Sequence, residues 1–202
     1  MIETMFDIFQ PLIETIPGFI GLEDERELYT QASKVSLNGF ILELGSAFGR
    51  SAAALAFGNP AANILSIDMY WQDKKDLPEG FDFSPNGNGM RLAKLGITNV
   101  SFLQDNTLTM DLSKYFSFEP LPIDLLWHDC SHTYEDVISD LNKFGQYANV
   151  IMIHDYTESQ DSPIPGQIQF PGVTKAMDEF LANHPEFYIQ HHKWSTLTIA
   201  RR

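Results

Sequence analysis

The chain has 202 residues, a hydrophobic share of 44% and a formal charge of −14. That length and apolar content suffice for one sizeable core. The acidic balance, with only 13 Lys and Arg, argues against a nucleic-acid backbone as substrate, since such sites need basic patches. The one cysteine, Cys130, excludes an internal disulfide and fits a reducing, cytoplasmic setting. Met1 to Pro17 carries no basic-then-apolar leader, and no apolar run reaches membrane-spanning length, so no membrane partner is expected.

Ile2 to Ile16 places Met5, Ile8, Phe9, Leu12 and Ile16 at helical spacing, and Leu22 to Val35 reads as a second helix beyond Pro17-Gly18. Residues 1–38 are therefore expected to be N-terminal helices covering the core, with a lid or a homodimer contact as other uses of the stripe. Residues 39–202 are expected to form the single main domain.

Phe40 to Leu44 reads as a buried strand containing one acid, Glu43, which is costly unless something binds it. Gly45 and Gly49 bracket three residues, and Arg50-Ser51 opens an alanine-rich helix. Glycine lets backbone approach a ligand closely, and a helix N-terminus behind such a turn presents N–H groups to it. A dinucleotide turn would need G-x-G-x-x-G, and a phosphate loop would need Lys after the last Gly. Ser46 and Ala47 break the first pattern and Arg50 the second, so an NAD(P)-dependent oxidoreductase is disfavoured.

Asn63 to Met69 is a second strand, with Asp68 at its tip placed to accept from two ribose hydroxyls. Tyr70 to Asn88 reads as a long polar loop. Asn99 to Thr107 is a third strand ending at Asp105-Asn106. Pro122 to Asp129 and Asn149 to Tyr156 are continuous apolar runs ending in polar residues, which suits parallel strands buried on both faces. Such sheets bind ligands at the carboxyl ends of their strands, the rim on which Glu43, Asp68, Asp105, Asp129 and Asp155 are expected to converge. Tyr134 to Phe144 is a helix, and Thr157 to Pro171 a loop expected to act as a mobile lid. His184-Pro185-Glu186 ends the last helix before two closing strands, Phe187 to Gln190 and Ser195 to Arg201. The His191-His192 pair reads as exposed turn or strand.

The order acid, apolar, Gly, three residues, Gly from Glu43 to Gly49 resembles the first motif of class I S-adenosylmethionine (SAM) dependent methyltransferases. Asp129-Cys130-Ser131-His132-Thr133-Tyr134-Glu135 resembles the D-x-x-H-x-Y-E stretch of the family that includes macrocin-type sugar O-methyltransferases and cephalosporin-hydroxylase-like proteins, with Cys130 where the common pattern has Gly. Ile153 to Tyr156 and Pro171 to Ala176 match that family's tail. The resemblance covers the chain from about Glu25 to near its end. It implies an α/β fold with a doubly wound, mostly parallel, seven-stranded Rossmann-like sheet.

It also implies SAM as cofactor, with the acid and glycine turn at its amino-acid end. The cofactor residues implied are Glu43, Gly45, Ser46, Gly49, Arg50 and Ser51, then Asp68 and Met69, then Asp105 and Asn106 beside the adenine, and Asp129. In metal-dependent members the matching positions are an Asp ligand, a His base and an acidic pair after the fifth strand. Here the first of that pair is His154, so Asp129, His154 and Asp155 are the candidate ligands for Mg²⁺ or, with an imidazole present, Mn²⁺.

Methylating a hydroxyl requires removal of its proton, and His132 is the candidate general base, with Asp129 as ligand or orienting group. Helix capping for His132, a local turn for Asp155 and packing for His154 are the competing uses. The expected activity is O-methylation of a small hydroxylated acceptor such as a sugar or glycosylated metabolite. A non-catalytic SAM- or nucleoside-binding module is the alternative.

Overall fold

The computed structural model describes residues 2–71, 77, 80–111, 114–115, 122–157 and 170–202, which fall into two compact units, Met1–Thr107 and Leu108–Arg202. All seven strands belong to one sheet, in the order β3-β2-β1-β4-β5-β7-β6. The expected mostly parallel, seven-stranded α/β architecture with flanking helices is therefore present.

The first unit contains α1 (Ile2–Ile13), α2 (Leu22–Ala32), β1 (Phe40–Leu44), α3 (Arg50–Gly58), β2 (Asn63–Asp68), α4 (Pro85–Lys94) and β3 (Val100–Gln104). Its strands pair in parallel, and the register sets Glu43 beside Ser66 and Asp68 beside Gln104. The apolar runs of β1 and β2 bury Ile41, Leu42, Leu44, Ile64 and Ile67, as expected for strands covered on both faces.

Besides the end of α2, at Ala32 rather than Val35, two helix boundaries in this unit differ from expectation. Helix α1 stops at Ile13, and Ile16 is reached by a tight turn in which its N–H donates to Ile13 O. The packed face of α1 also departs in part from the stripe read from spacing, which holds at Phe9 and Ile16. Phe6 and Ile13 are buried and Phe9 stacks on Phe57 at 4.5 Å, whereas Met5, Ile8 and Leu12 are exposed. The rings of Phe6 and Phe9 both meet Tyr29 of α2, at 5.5 and 6.3 Å, and that aromatic contact sets the helix rotation. The second difference is α4, which starts inside the stretch read as loop. Ser84 Oγ accepts from Gly87 N–H at 3.1 Å and Pro85 takes the first turn, a cap-and-proline start that outweighs the weak propensity of Asn and Gly.

The second unit contains β4 (Ile123–His128), α5 (Tyr134–Phe144), a 3₁₀ turn (Gly145–Tyr147), β5 (Ala148–Ile153), α6 (Pro171–Asn183), β6 (Phe187–Lys193) and β7 (Thr196–Arg201). Strand β4 runs parallel to β5, while β7 is antiparallel to both β5 and β6. Strand β6 extends past Gln190 because a register shift between Ile189 and His191 lets pairing continue to Lys193; His191 and His192 lie in that extension. Thr133 caps α5 by accepting from Asp136 N–H, so His132 is left out of that role. No described helix is long and apolar enough to cross a membrane.

Helices α2 and α3 pack closely at Gly58, where an added Cβ would lie 2.4 Å from Tyr29 O of α2. Gly58→Ala is expected to force α2 and α3 apart at a cost of about 1–3 kcal/mol, read as a lower urea midpoint. An unchanged midpoint would contradict this packing.

Candidate active site

In the first unit the site is built on the turn between β1 and α3. Gly45, Ala47 and Gly49 have φ of 99°, 39° and 89°. Ala47 holds this left-handed backbone because both its polar groups are anchored. Its N–H donates to Asp68 Oδ2 at 2.8 Å and its carbonyl accepts from Asn88 Nδ2 at 3.0 Å. Asp68 Oδ1 accepts from Tyr70 N–H at 2.7 Å. Each Asp68 oxygen thus takes one backbone donor, and a carboxylate retains lone pairs for ligand hydroxyls.

Glu43 is fully buried. Its Oε2 accepts from Ser66 Oγ, which in turn meets Ser46 Oγ. That hydroxyl chain offsets the desolvation of the acid read in the strand. Helix α3 begins at Gly49 without a side-chain cap, whereas Ser84 and Thr133 cap α4 and α5.

Other candidates are placed less centrally. Arg50 donates to Glu25 Oε1 at 2.5 Å; burial pushes the Glu25 carboxyl up, against the pull of Arg50. Ser51 is buried at the head of α3, and Met69 is exposed while its carbonyl accepts from Gln104 Nε2 at 3.1 Å. Asp105 Oδ1 accepts from Asn106 N–H at 2.7 Å at the end of β3.

Three residues escaped the sequence reading. Asn88 Nδ2 also donates to the Tyr70 hydroxyl at 3.1 Å, and burial pushes that phenol up. Arg91 donates to Phe48 O at 3.3 Å, to Asp82 O at 2.8 Å and to Asn88 Oδ1, with its guanidinium 4.4 Å from the Phe81 ring centre. Together they lock the far side of the glycine turn. Asn88 lay within what read as loop, so its helix was not there to point to it.

In the second unit the candidate groups gather at the ends of β4 and β5. His154 Nδ1 lies 3.3 Å from Asp129 Oδ1 and 3.3 Å from Asp155 Oδ2, and its Nε2 lies 3.0 Å from Ser195 Oγ. One ligating atom from each of Asp129, His154 and Asp155 lies within 4.8 Å of the others. This donor set fits a divalent ion, and Ser195 on the remote nitrogen is the kind of partner that orients a ligating imidazole. His132 Nε2 lies 2.8 Å from Asp155 Oδ2, and its ring stacks on Phe170 with centroids 3.9 Å apart. Burial alone would raise the Asp155 carboxyl, but hydrogen bonds and charge from His132 and His154 outweigh it and hold the group well below the usual carboxylate range.

Phe170 and Gly172 were not singled out as site residues, yet both shape the His132 loop. A Cβ on Gly172 would sit 2.4 Å from His132 O and 2.7 Å from Tyr134 N, so α6 can press on that loop only through a glycine. The expected lid falls mainly on residues 158–169, outside the described residues. Thr157 at its start donates its N–H to Thr174 Oγ1 at 3.1 Å.

Asp155→Asn is expected to lower the free energy of unfolding at pH 6. The gap from wild type should narrow toward pH 3. A carboxyl held low in the folded state stabilises it above the unfolded value, about 4, and loses that advantage as pH falls through the folded value. Urea titrations at the two pH values check this, and a pH-independent gap would contradict it.

Residues 42–156 match a family model described as a methyltransferase domain. No curated protein matches the sequence. Among solved structures, the calicheamicin methyltransferase CalS11 is 17% identical, with 98% of this chain and 91% of that one covered at a TM-score of 0.61; its ligand-free form is described as a TDP-rhamnose 3′-O-methyltransferase. An S-adenosylhomocysteine-bound methyltransferase from Podospora anserina, PaMTH1, is 15% identical, covering 99% and 88% at 0.63. An rRNA methylase from Streptococcus thermophilus is 14% identical, covering 91% and 99% at 0.56. What is shared at these identities is the fold.

Proposed function

We propose, on the premise that this chain belongs to the methyltransferase-domain family, that it transfers the methyl group of SAM to a hydroxyl oxygen of a small acceptor, a sugar or glycosylated metabolite. The observation that carries the reading is the His132–Asp155 pair. Its imidazole is 39% exposed, and its Nε2 is 2.8 Å from a carboxylate held in its ionised form.

An ionised carboxylate only accepts, so Nε2 carries the proton and Nδ1 is the basic nitrogen. With SAM bound as methyl donor, the hydroxyl proton of the acceptor would pass to His132 Nδ1, and Asp155 would stabilise the resulting imidazolium. SAM, when bound, supplies an already activated methyl group. The protein's share is therefore placement and proton removal.

The amino-acid end of the cofactor is assigned to the turn from Gly45 to Gly49 and the uncapped head of α3. Its ribose is assigned to the remaining lone pairs of Asp68. Asp129, His154 and Asp155 are the residues that would hold a Mg²⁺ or Mn²⁺ ion, which would lower the pKa of a bound acceptor hydroxyl. Acceptor chemistry is argued from charge. At −14 the chain repels an RNA backbone, which favours a small molecule, and the sugar-modifying description of one structural neighbour points the same way.

Calorimetry should detect SAM and give no comparable signal with NAD, and Asp68→Ala should weaken SAM binding at least tenfold. In a methylation assay over a panel of nucleotide sugars, His132→Ala should lower turnover by about 10²–10⁴ with little change in SAM affinity. Tight NAD binding without SAM binding would overturn the cofactor, and near-normal turnover of the His132 variant would overturn the base.

A further inference from the structure

A second cluster lies in the same unit and takes no part in the chemistry above. His128 ends β4, Cys130 follows two residues later, and Asp140 lies in the middle of α5. His128 Nε2 is 3.5 Å from Cys130 Sγ and 3.3 Å from Asp140 Oδ2, and Cys130 Sγ is 3.4 Å from the same oxygen. His128 and Asp140 are each only 1% exposed.

Hydrogen bonds can serve two edges of this triangle, and the third is then a van der Waals contact. Nε2 and Sγ carry at most one proton each, so three close edges share at most two protons. If both protons point at Asp140, the sulfur–nitrogen edge holds none. A central cation accounts for all three edges at once. Tetrahedral Zn²⁺ has bonds of about 2.3 Å to sulfur, 2.0–2.1 Å to nitrogen and 2.0–2.2 Å to oxygen. At the tetrahedral angle these give edges of about 3.5–3.6 Å for S···N, 3.5–3.7 Å for S···O and 3.3–3.5 Å for N···O. The observed edges of 3.5, 3.4 and 3.3 Å agree to within about 0.1 Å.

We infer that His128, Cys130 and Asp140 form a Zn²⁺ site, with water in the fourth position. Charge supports the choice. A thiolate, a carboxylate and a neutral imidazole sum to −2, so the occupied site is neutral, which a buried location favours. The mixed sulfur, nitrogen and oxygen donors suit zinc better than the hard ions that prefer oxygen alone. Cys130 is exposed as a residue, which gives the ion a way in. The ion would tie the end of β4 to α5 and close the loop that carries Asp129 and His132.

The test is titration of chelator-treated protein with Zn²⁺, and with Co²⁺ as a spectroscopic probe. One equivalent carrying a thiolate-to-cobalt charge-transfer band is expected, over and above any ion taken up without that band by Asp129, His154 and Asp155. Cys130→Ser and Asp140→Asn should lose the band and weaken uptake at least tenfold while keeping the wild-type far-ultraviolet circular dichroism. Asp155→Asn, which alters the other cluster, should keep the band. The inference is overturned if the wild type takes up no zinc, if Cys130→Ser binds cobalt with an unchanged spectrum, or if Asp155→Asn abolishes the band.

Discussion

Two backbone N–H groups, those of Ala47 and Tyr70, end on the single carboxylate of Asp68, and the shape of the first unit's rim depends on it. Both donors belong to non-glycine residues with positive φ, 39° and 52°, a conformation that costs roughly 1–2 kcal/mol each. A hydrogen bond to a charged group contributes about 1.5–3 kcal/mol, enough to offset each. The Asn88 bond to Ala47 O then holds the turn from the other side. One acid therefore shapes the turn and keeps acceptor capacity for a ligand.

The second unit solves a related problem with histidines. Asp129 and Asp155 lie near each other at the ends of parallel strands, and like charges there oppose folding. His154 stands 3.3 Å from both, and His132 is 2.8 Å from Asp155. Each acid thus faces an imidazole that can carry the compensating charge. The substitution of His154 for the first acid of the expected pair reduces the repulsion and recruits Ser195 through the ring's other nitrogen. Asp155 takes φ of 61° to reach both rings.

Much of this was legible in the sequence. The strands were, because apolar runs such as Ile123 to Trp127 suit a two-faced sheet, and helix α5 was read at its observed bounds, although its cap is Thr133 and not the candidate His132. The spacing of Glu43, the two glycines and Asp68 led to the turn and the acid that holds it. Helix α4 was missed because Asn86-Gly87-Asn88-Gly89 has loop composition and its start depends on Ser84 and Pro85. With it went Asn88 and Arg91. Part of the α1 stripe, Met5, Ile8 and Leu12, was misplaced because spacing alone cannot choose among neighbouring apolar faces; Tyr29 on another helix makes that choice. Phe170 and Gly172 were opaque for the same reason. Each acts on His132, some forty residues earlier in the chain.

The end of β4 and the turn after it keep two clusters of ligating side chains apart. His128, the last residue of β4, and Cys130 beyond it meet Asp140 of α5, while Asp129 between them lies against His154. The segment from His128 to His132 is thus a joint between a proposed zinc site and a proposed catalytic site, and both depend on its backbone. On one flank the glycine at 172 lets α6 press directly on His132. On the other, an ion at His128, Cys130 and Asp140 would cross-link strand to helix. A general base works only when its nitrogen stays within hydrogen-bond reach of the proton it removes. In this fold that requirement falls on a five-residue loop fixed from both sides, which is why the glycine and the cysteine belong to the same argument as the histidine they flank.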